Sequence, residues 1–272
     1  MKKQITPAYV IGVVLCIIFA VICVLPLCYM VLMSFTQSTS LRMHMEDVRL
    51  FDFSNYMYAI VNRGFGPAFW NSIIVVVGSC LLVDIVSAMA AYGFEKKPVP
   101  GKETLFQVYL STMMVPGQVA LISMFVMVNK LNLSNTYAAL ILPMVGAFGI
   151  FLMRQFMQGV PNELIEAAEI DGSGEIRTFL TIVLPLIQPA LITLTVFTFT
   201  SAWNNFLWPL IITTRSSMFT LTVAMSTLSS MNDTNYGLVM AGATLTFIFP
   251  FLLYIVLQKQ FVEGIALGGV KG

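Results

Sequence analysis

The chain is built from long apolar runs separated by polar segments. Residues 9–33, 69–94, 105–128, 137–157, 179–202 and 238–257 form six such runs. A helix needs about 20 apolar residues to cross a bilayer core of roughly 30 Å, and each run meets that length or comes close. A β-barrel strand would show alternation over about ten residues, and these runs do not alternate. The pattern therefore predicts an all-α, polytopic membrane protein with six transmembrane helices in a single domain over 1–272. Lys2 and Lys3 precede a first run too long for a signal peptide and without a small-residue cleavage site, so it reads as an uncleaved span. Residues 198–225 leave room for a further short or re-entrant segment. No internal repeat appears, against an inverted-repeat secondary transporter.

Composition supports this reading. Of 272 residues, 58% are apolar and only 10% charged, where soluble domains carry about 25% charged residues. A soluble domain, a disordered chain and a basic nucleic-acid binder are excluded, and a net charge of +1 gives no general electrostatic partner. Cys16, Cys23, Cys28 and Cys80 lie in apolar runs without paired spacing and read as packing residues. The one histidine, His44, stands in a polar loop. No metal site is expected. With six spans both termini share a side, and nine of the 14 basic residues fall on it (Lys2, Lys3, Lys96, Lys97, Lys102, Arg154, Arg177, Lys259 and Lys271). The positive-inside rule makes that side cytoplasmic.

One charged stretch between spans stands out. Five of the 13 acidic residues (Glu163, Glu166, Glu169, Asp171 and Glu175) lie within 161–177. Pro161 suits the first helical position and Glu163 the first turn, and Gly172 suits a left-handed stop. A short helix over about 161–171 follows, on the cytoplasmic side. Leu164, Ile165 and Ala168 form an apolar strip, Glu166 and Glu169 share another face, and Ala167 and Ala168 permit close approach. A helix lying on lipid would carry Lys and Arg on its polar face. The acidic face favours a protein-docking element, with the interfacial helix as the other reading.

These residues also carry a resemblance. Glu166-Ala167-Ala168, Asp171-Gly172, Ile182-Val183-Leu184-Pro185 and Pro189 resemble the EAA loop of ATP-binding-cassette (ABC) importer permeases. Further matches extend over most of the chain: Leu25-Pro26-Leu27, Ser34-Phe35-Thr36, Asn55-Tyr56, Asn71-Ser72, Ala90-Ala91-Tyr92, Met114-Val115-Pro116-Gly117, Phe148-Gly149-Ile150-Phe151, residues 203–209, and Phe261, Gly264, Gly268 and Lys271-Gly272. They resemble the carbohydrate branch, in particular the second permease subunit of the maltose system. Ser173-Gly174 departs from a common Ala after the Gly, and Asn205 replaces an Asp.

The resemblance implies a type I ABC importer permease fold in the bacterial plasma (inner) membrane. It implies half of a translocation pore for a carbohydrate substrate, working by alternating access with a homologous partner permease. Two cytoplasmic ATPase subunits and an extracytoplasmic sugar-binding protein complete the system. Glu163, Glu166, Ala167, Ala168, Asp171 and Gly172 would couple to an ATPase subunit. The chain itself has no phosphate-binding G-x-x-x-x-G-K-[ST] loop. ATP and magnesium are thus expected on the partner ATPase, with no cofactor and no enzymatic activity on this chain.

Other positions carry chemistry with two readings each. Pro116-Gly117 with Gln118, next to Met114, should break the third span, lining the pore or simply packing. Trp203, Asn204, Asn205 and Trp208 join aromatic faces to amides, which suits sugar contact, though Trp also populates interfacial belts. Asp84 lies ten residues before Phe94, roughly 15 Å into the second span. An ionisable group at that depth is costly. It is either buried against another span or protonated, or it serves a stand-alone ion-coupled carrier or channel, the alternative function.

Overall fold

The computed structural model describes residues 7–42, 46, 48, 52–230 and 235–269, without the side chains of several residues near the C-terminus. Expectations resting on Lys2, Lys3, His44, Lys271 and Gly272, and on the side chains of Lys259 and Phe261, lie outside what is described. Every regular element among the described residues is helical.

In chain order the helices are α1 (Pro7–Met33), α2 (Ser54–Asn62), α3 (Phe65–Lys96), α4 (Lys102–Ser111), α5 (Gly117–Lys130), α6 (Tyr137–Ile141) and α7 (Ala147–Met157). Then come α8 (Asn162–Ile170), α9 (Glu175–Thr178), α10 (Leu184–Leu186), α11 (Gln188–Trp203), α12 (Leu207–Ile212), α13 (Leu221–Ser230) and α14 (Tyr236–Gly269). Three helices are long and apolar enough to cross a membrane alone, over Tyr9–Met33, Phe65–Lys96 and Tyr236–Val256. The other three expected spans are bent pairs: Lys102–Met114 with Gly117–Lys130 (101°), Tyr137–Met144 with Ala147–Met157 (46°), and Glu175–Leu186 with Gln188–Trp203 (78°). Six apolar runs thus give three straight helices and three broken ones.

The breaks have covalent causes. Pro116, at ψ 126°, ends the helical path between α4 and α5, as its sequence predicts. Pro143 sits in the 3-10 turn Leu142–Met144 ahead of the second bend. In the third, Pro185 has no N–H to donate to the Thr181 carbonyl, and the backbone widens into a π turn over Phe179–Val183. Residues 198–225 hold no additional crossing: α12 has 6 residues and α13 has 10, both too short to span.

The chain divides into two compact units, residues 1–66 with 224–251 and residues 67–223 with 252–272. In the first, Asn55 on α2 donates from Nδ2 to the carbonyls of Ser34 (2.8 Å) and Thr36 (2.7 Å). The Tyr56 hydroxyl lies 2.5 Å from Ser34 Oγ. Two segments that carry the resemblance, Ser34-Phe35-Thr36 and Asn55-Tyr56, are therefore one contact. Gly237 at the start of α14 completes it, because a Cβ there would stand 1.8 Å from the Thr36 carbonyl oxygen. No side chain fits.

In the second unit α3 is the central support. Its 32 residues span about 48 Å at 1.5 Å per residue, longer than the hydrocarbon core. At one end Asn71 donates to the carbonyls of Ser217 (2.8 Å) and Phe219 (3.0 Å), and Ser72 Oγ accepts from the Leu221 N–H (2.8 Å). Here a core of Val75, Val128, Ala139, Leu140, Trp208 and Ile212 forms. Toward the other end a larger core joins Val83, Ala88, Ala91 and Tyr92 of α3 to Met153 and Met157 of α7, to Ile165 of α8, and to Val183, Ile187, Ala190 and Leu194.

Candidate functional site

Helix α8 begins at Asn162, one position later than its sequence suggests, with Pro161 as its N-cap in an extended conformation. It ends in a left-handed glycine. Gly172 has φ +79°, its N–H bonds to the Glu169 carbonyl (3.0 Å), and the Ser173 N–H reaches the Ala168 carbonyl (2.9 Å). That pair of bonds is the Schellman motif. Ser173 also accepts from the Thr178 hydroxyl at 3.0 Å, which gives this departure from the family pattern a local role in the turn.

The two faces of α8 do different work. Ile165 and Ala168 are both buried, and Ile165 joins the core described above. Glu163, Glu166 and Ala167 are exposed, as are Asp171 and Gly172 beyond the last turn. Ile170, 86% exposed, follows at the spacing that puts positions 163, 166, 167 and 170 on one face. The apolar strip expected on the docking face mostly points inward: Ile165 and Ala168 hold the helix down, and only Leu164 of the three is exposed. Of the two glutamates expected to share a face, Glu166 faces out, while Glu169 is drawn to a lysine.

That lysine belongs to a group of residues that sequence reasoning did not single out. Lys96 Nζ donates to the Val160 carbonyl (2.6 Å) and to Asn162 Oδ1 (2.9 Å), gripping the start of α8. Lys97 Nζ contacts Glu169 at 3.4 Å and Glu175 at 2.5 Å, gripping its end and the start of α9. The Tyr92 hydroxyl donates to Glu175 Oε2 at 3.1 Å, and Lys97 Nζ sits 5.3 Å from the Tyr92 ring centroid. Partial burial works against the charge on Lys97, but hydrogen bonds with Glu175, Tyr92 and Glu169 outweigh it and hold its pKa above the ordinary lysine value. Beside this group, buried Arg154 of α7 donates to Glu95 (2.9 Å) and Glu103 (2.5 Å) and lies 4.2 Å from the Phe106 ring centroid. No local pattern in the sequence joins Lys96-Lys97 to the acidic stretch, which lies more than 60 positions further on.

The substrate-path candidates fall into separate environments. Met114, Pro116, Gly117 and Gln118 lie at the α4–α5 break and are all exposed. Asn204 is exposed with its amide donating to the Thr200 carbonyl (2.9 Å). Asn205 is half-buried, and its carbonyl accepts from the Thr222 hydroxyl (3.0 Å). Both tryptophans are buried. Trp203 stacks on Phe199 with centroids 6.0 Å apart, and Trp208 donates from Nε1 to the Ala139 carbonyl at 2.8 Å. Neither ring presents an open face in this chain. Nearby, a cavity of about 150 Å³ is lined by Val83, Met144, Phe148, Gly149, Thr198 and Ser201, among others. Ligand pockets run from about 300 to 1,000 Å³, so this cavity alone does not hold an oligosaccharide.

Asp84 accepts from the Thr195 hydroxyl at 2.6 Å. It borders an apolar groove of about 640 Å³ whose walls include Ile85, Met89, Phe179 and Leu184. Its hydrogen-bond partner is a hydroxyl, not a second ionisable group of a relay. Among the described residues no cluster of His, Cys, Asp or Glu could hold a metal ion.

Apolar helices long enough to span and three broken pairs define a multi-pass membrane protein, and one short, exposed acidic helix is anchored to it at its rear. The chain belongs to the family of binding-protein-dependent transport system inner membrane components, which it matches over residues 3–266. That is a family of transporters rather than enzymes. It is similar to the arabinooligosaccharides transport system permease protein AraQ of Halalkalibacterium halodurans, at 36% identity over 264 residues covering 93% of each chain. It is also similar to the lactose transport system permease protein LacG of Rhizobium radiobacter, at 37% identity over 204 residues covering 75% of this chain and 74% of that one. The fold is that of a chain in the crystal structure of a bacterial ABC transporter involved in import of the acidic polysaccharide alginate. The TM-score is 0.82, with 22% identity, 96% of this chain and 99% of that chain covered.

Proposed function

We propose that this chain is a permease subunit of an ATP-driven, binding-protein-dependent importer of a carbohydrate, and that it forms half of the translocation pore. A homologous permease supplies the other half. ATP and magnesium bind two ATPase subunits on the cytoplasmic side, where both termini also lie, and a binding protein delivers the sugar from outside. The relatives carry arabino-oligosaccharides and lactose in their names, which supports a short oligosaccharide as cargo.

The observation that carries this reading is the two-faced helix α8. Its inner face buries Ile165 and Ala168, with Ile165 packed into the core of the permease. Its outer face offers Glu163, Glu166, Ala167 and Ile170 to another protein. A small central alanine admits close approach, the carboxylates set register, and an exposed isoleucine supplies apolar area. ATP-driven closure of the ATPases would move α8 as a rigid lever and switch the pore between inward- and outward-facing states. The exposed α4–α5 break at Met114, Pro116, Gly117 and Gln118, with Asn204, is the part of the predicted substrate path best placed to meet cargo. Trp203 and Trp208 are buried and Asn205 is half-buried, so they are less accessible to cargo. The ion-coupled alternative through Asp84 has less support, since that carboxylate pairs with Thr195 and the relatives are components of binding-protein-dependent systems.

The test is Glu166→Lys. It places a cation in the middle of the acidic outer face without touching the buried one. The variant is expected to insert at the wild-type level, scored by immunoblot of the membrane fraction, and to lose uptake of labelled arabinotriose or lactose. Normal uptake by the variant would overturn the docking role of α8.

A further inference from the structure

The α8 helix is joined to the rest of the permease covalently at its two ends, through Gly159-Val160-Pro161 and through the turn at Asp171–Gly174. Besides the apolar burial of Ile165 and Ala168, the structure adds a polar tether. Two consecutive residues, the last of α3 and the one after it, reach opposite ends of α8: Lys96 holds Val160 and Asn162, and Lys97 holds Glu169 and Glu175. The helix between those grips has 9 residues, about 12 Å from first to last Cα. A single long side chain does not cover that distance, but a pair of adjacent lysines pointing apart does.

We propose that Lys96 and Lys97 form a latch that makes α8 and α3 one rigid body, and that this latch is what converts a push on α8 into movement of the pore-side helix. The inference rests on the docking role assigned to α8. Lys96 and Lys97 are positioning residues, since they face the rear and ends of α8 and leave its outer face to the ATPase. The chemistry suits a latch rather than general packing. Lys97 is held in charged form by two carboxylates and the Tyr92 ring. Its side chain is only 22% exposed, against 54% and 62% for those of Glu169 and Glu175. Exposed ion pairs taken singly contribute little. Here one partly buried lysine joins two elements and its neighbour joins a third point, so the pairs share the entropy cost of being ordered. α3 also carries Asn71 and Ser72, which hold residues 217–221 at its far end, so displacement of α3 at the latch reaches that segment.

The experiment uses the full transporter in nanodiscs and in cells, comparing wild type, Lys97→Met and Lys97→Arg. Spin labels replace Leu164, which lies off the outer face of α8, and Val99, both exposed, and their distance distribution is read with and without ATP and vanadate. In the wild type the distribution stays narrow and unchanged between nucleotide states. In Lys97→Met it broadens or shifts on adding ATP and vanadate, the ATPase subunits still co-purify, and uptake of labelled arabinotriose or lactose falls at least several-fold. Lys97→Arg keeps the charge and restores both readouts. An unchanged distance distribution in Lys97→Met overturns the latch. A broadened distribution with normal uptake overturns its role in transmission, and loss of the ATPase subunits from Lys97→Met would assign the lysine to docking instead. Failure of the docking reading itself looks different: Glu166→Lys would then transport normally, while the label distance would still report on the latch.

Discussion

Gly172 offers the cleanest quantitative test of how α8 is terminated. Its φ of +79° lies in the left-handed region, and a Cβ built there would meet nothing within 4 Å. Adding a methyl group therefore costs only the backbone conformation, about 1–2 kcal/mol for an L residue. That corresponds to a roughly 5–30-fold change in the local equilibrium. The two bonds at stake are Gly172 N–H to Glu169 O at 3.0 Å and Ser173 N–H to Ala168 O at 2.9 Å. Hydrogen exchange of the assembled transporter should show protection of the Ser173 amide falling by that factor in Gly172→Ala. Gly172→Asn should lose less, because asparagine tolerates the left-handed region, and Gly172→Val should lose more, because a β-branched residue resists it. The loss should extend to the segment holding Glu175, since the turn places that carboxylate opposite Lys97. Equal protection in all four proteins would refute the assignment of a strained, glycine-dependent stop.

Two further predictions concern residues whose sequence allowed competing readings. Trp208→Phe removes the indole N–H that bonds the Ala139 carbonyl inside the core and should cost about 1–3 kcal/mol, seen as a lower melting temperature, while the variant protein that folds keeps its substrate preference. A changed preference at unchanged stability would instead return Trp208 to the substrate path. Asp84→Asn keeps an acceptor for the Thr195 hydroxyl, so ATP-driven uptake should survive it. Loss of uptake at normal membrane levels would support ion coupling.

The parts legible in the sequence are those written in local chemistry. Continuous apolar runs announce the membrane, Pro116 announces the α4–α5 break, and Gly172 announces the stop of α8. The EAA pattern around Glu166 marks the helix for which the docking role is proposed. What the sequence hid depends on residues far apart along the chain. Lys97 meets Glu175 across 78 positions, and no local pattern connects them. Ile165 packs into one core with the small residues Ala88 and Ala91 of α3, more than 70 positions away. The burial of Trp203 and Trp208 had no sequence signal, because an indole suits a core, an interface belt or a sugar equally well. Apolar content fixes how many runs could cross, but not where a broken run bends by 101°, 46° or 78°. Those angles come from proline positions acting together with packing.

The central claim is that the outer face of α8 carries the energy of ATP hydrolysis into this permease. The most direct measurement reconstitutes the complete transporter with Glu166→Lys in proteoliposomes and records ATP hydrolysis and sugar uptake from the same preparation. The account predicts an inserted permease with sugar uptake lost and any remaining hydrolysis uncoupled from it. Wild-type uptake per ATP hydrolysed would contradict it.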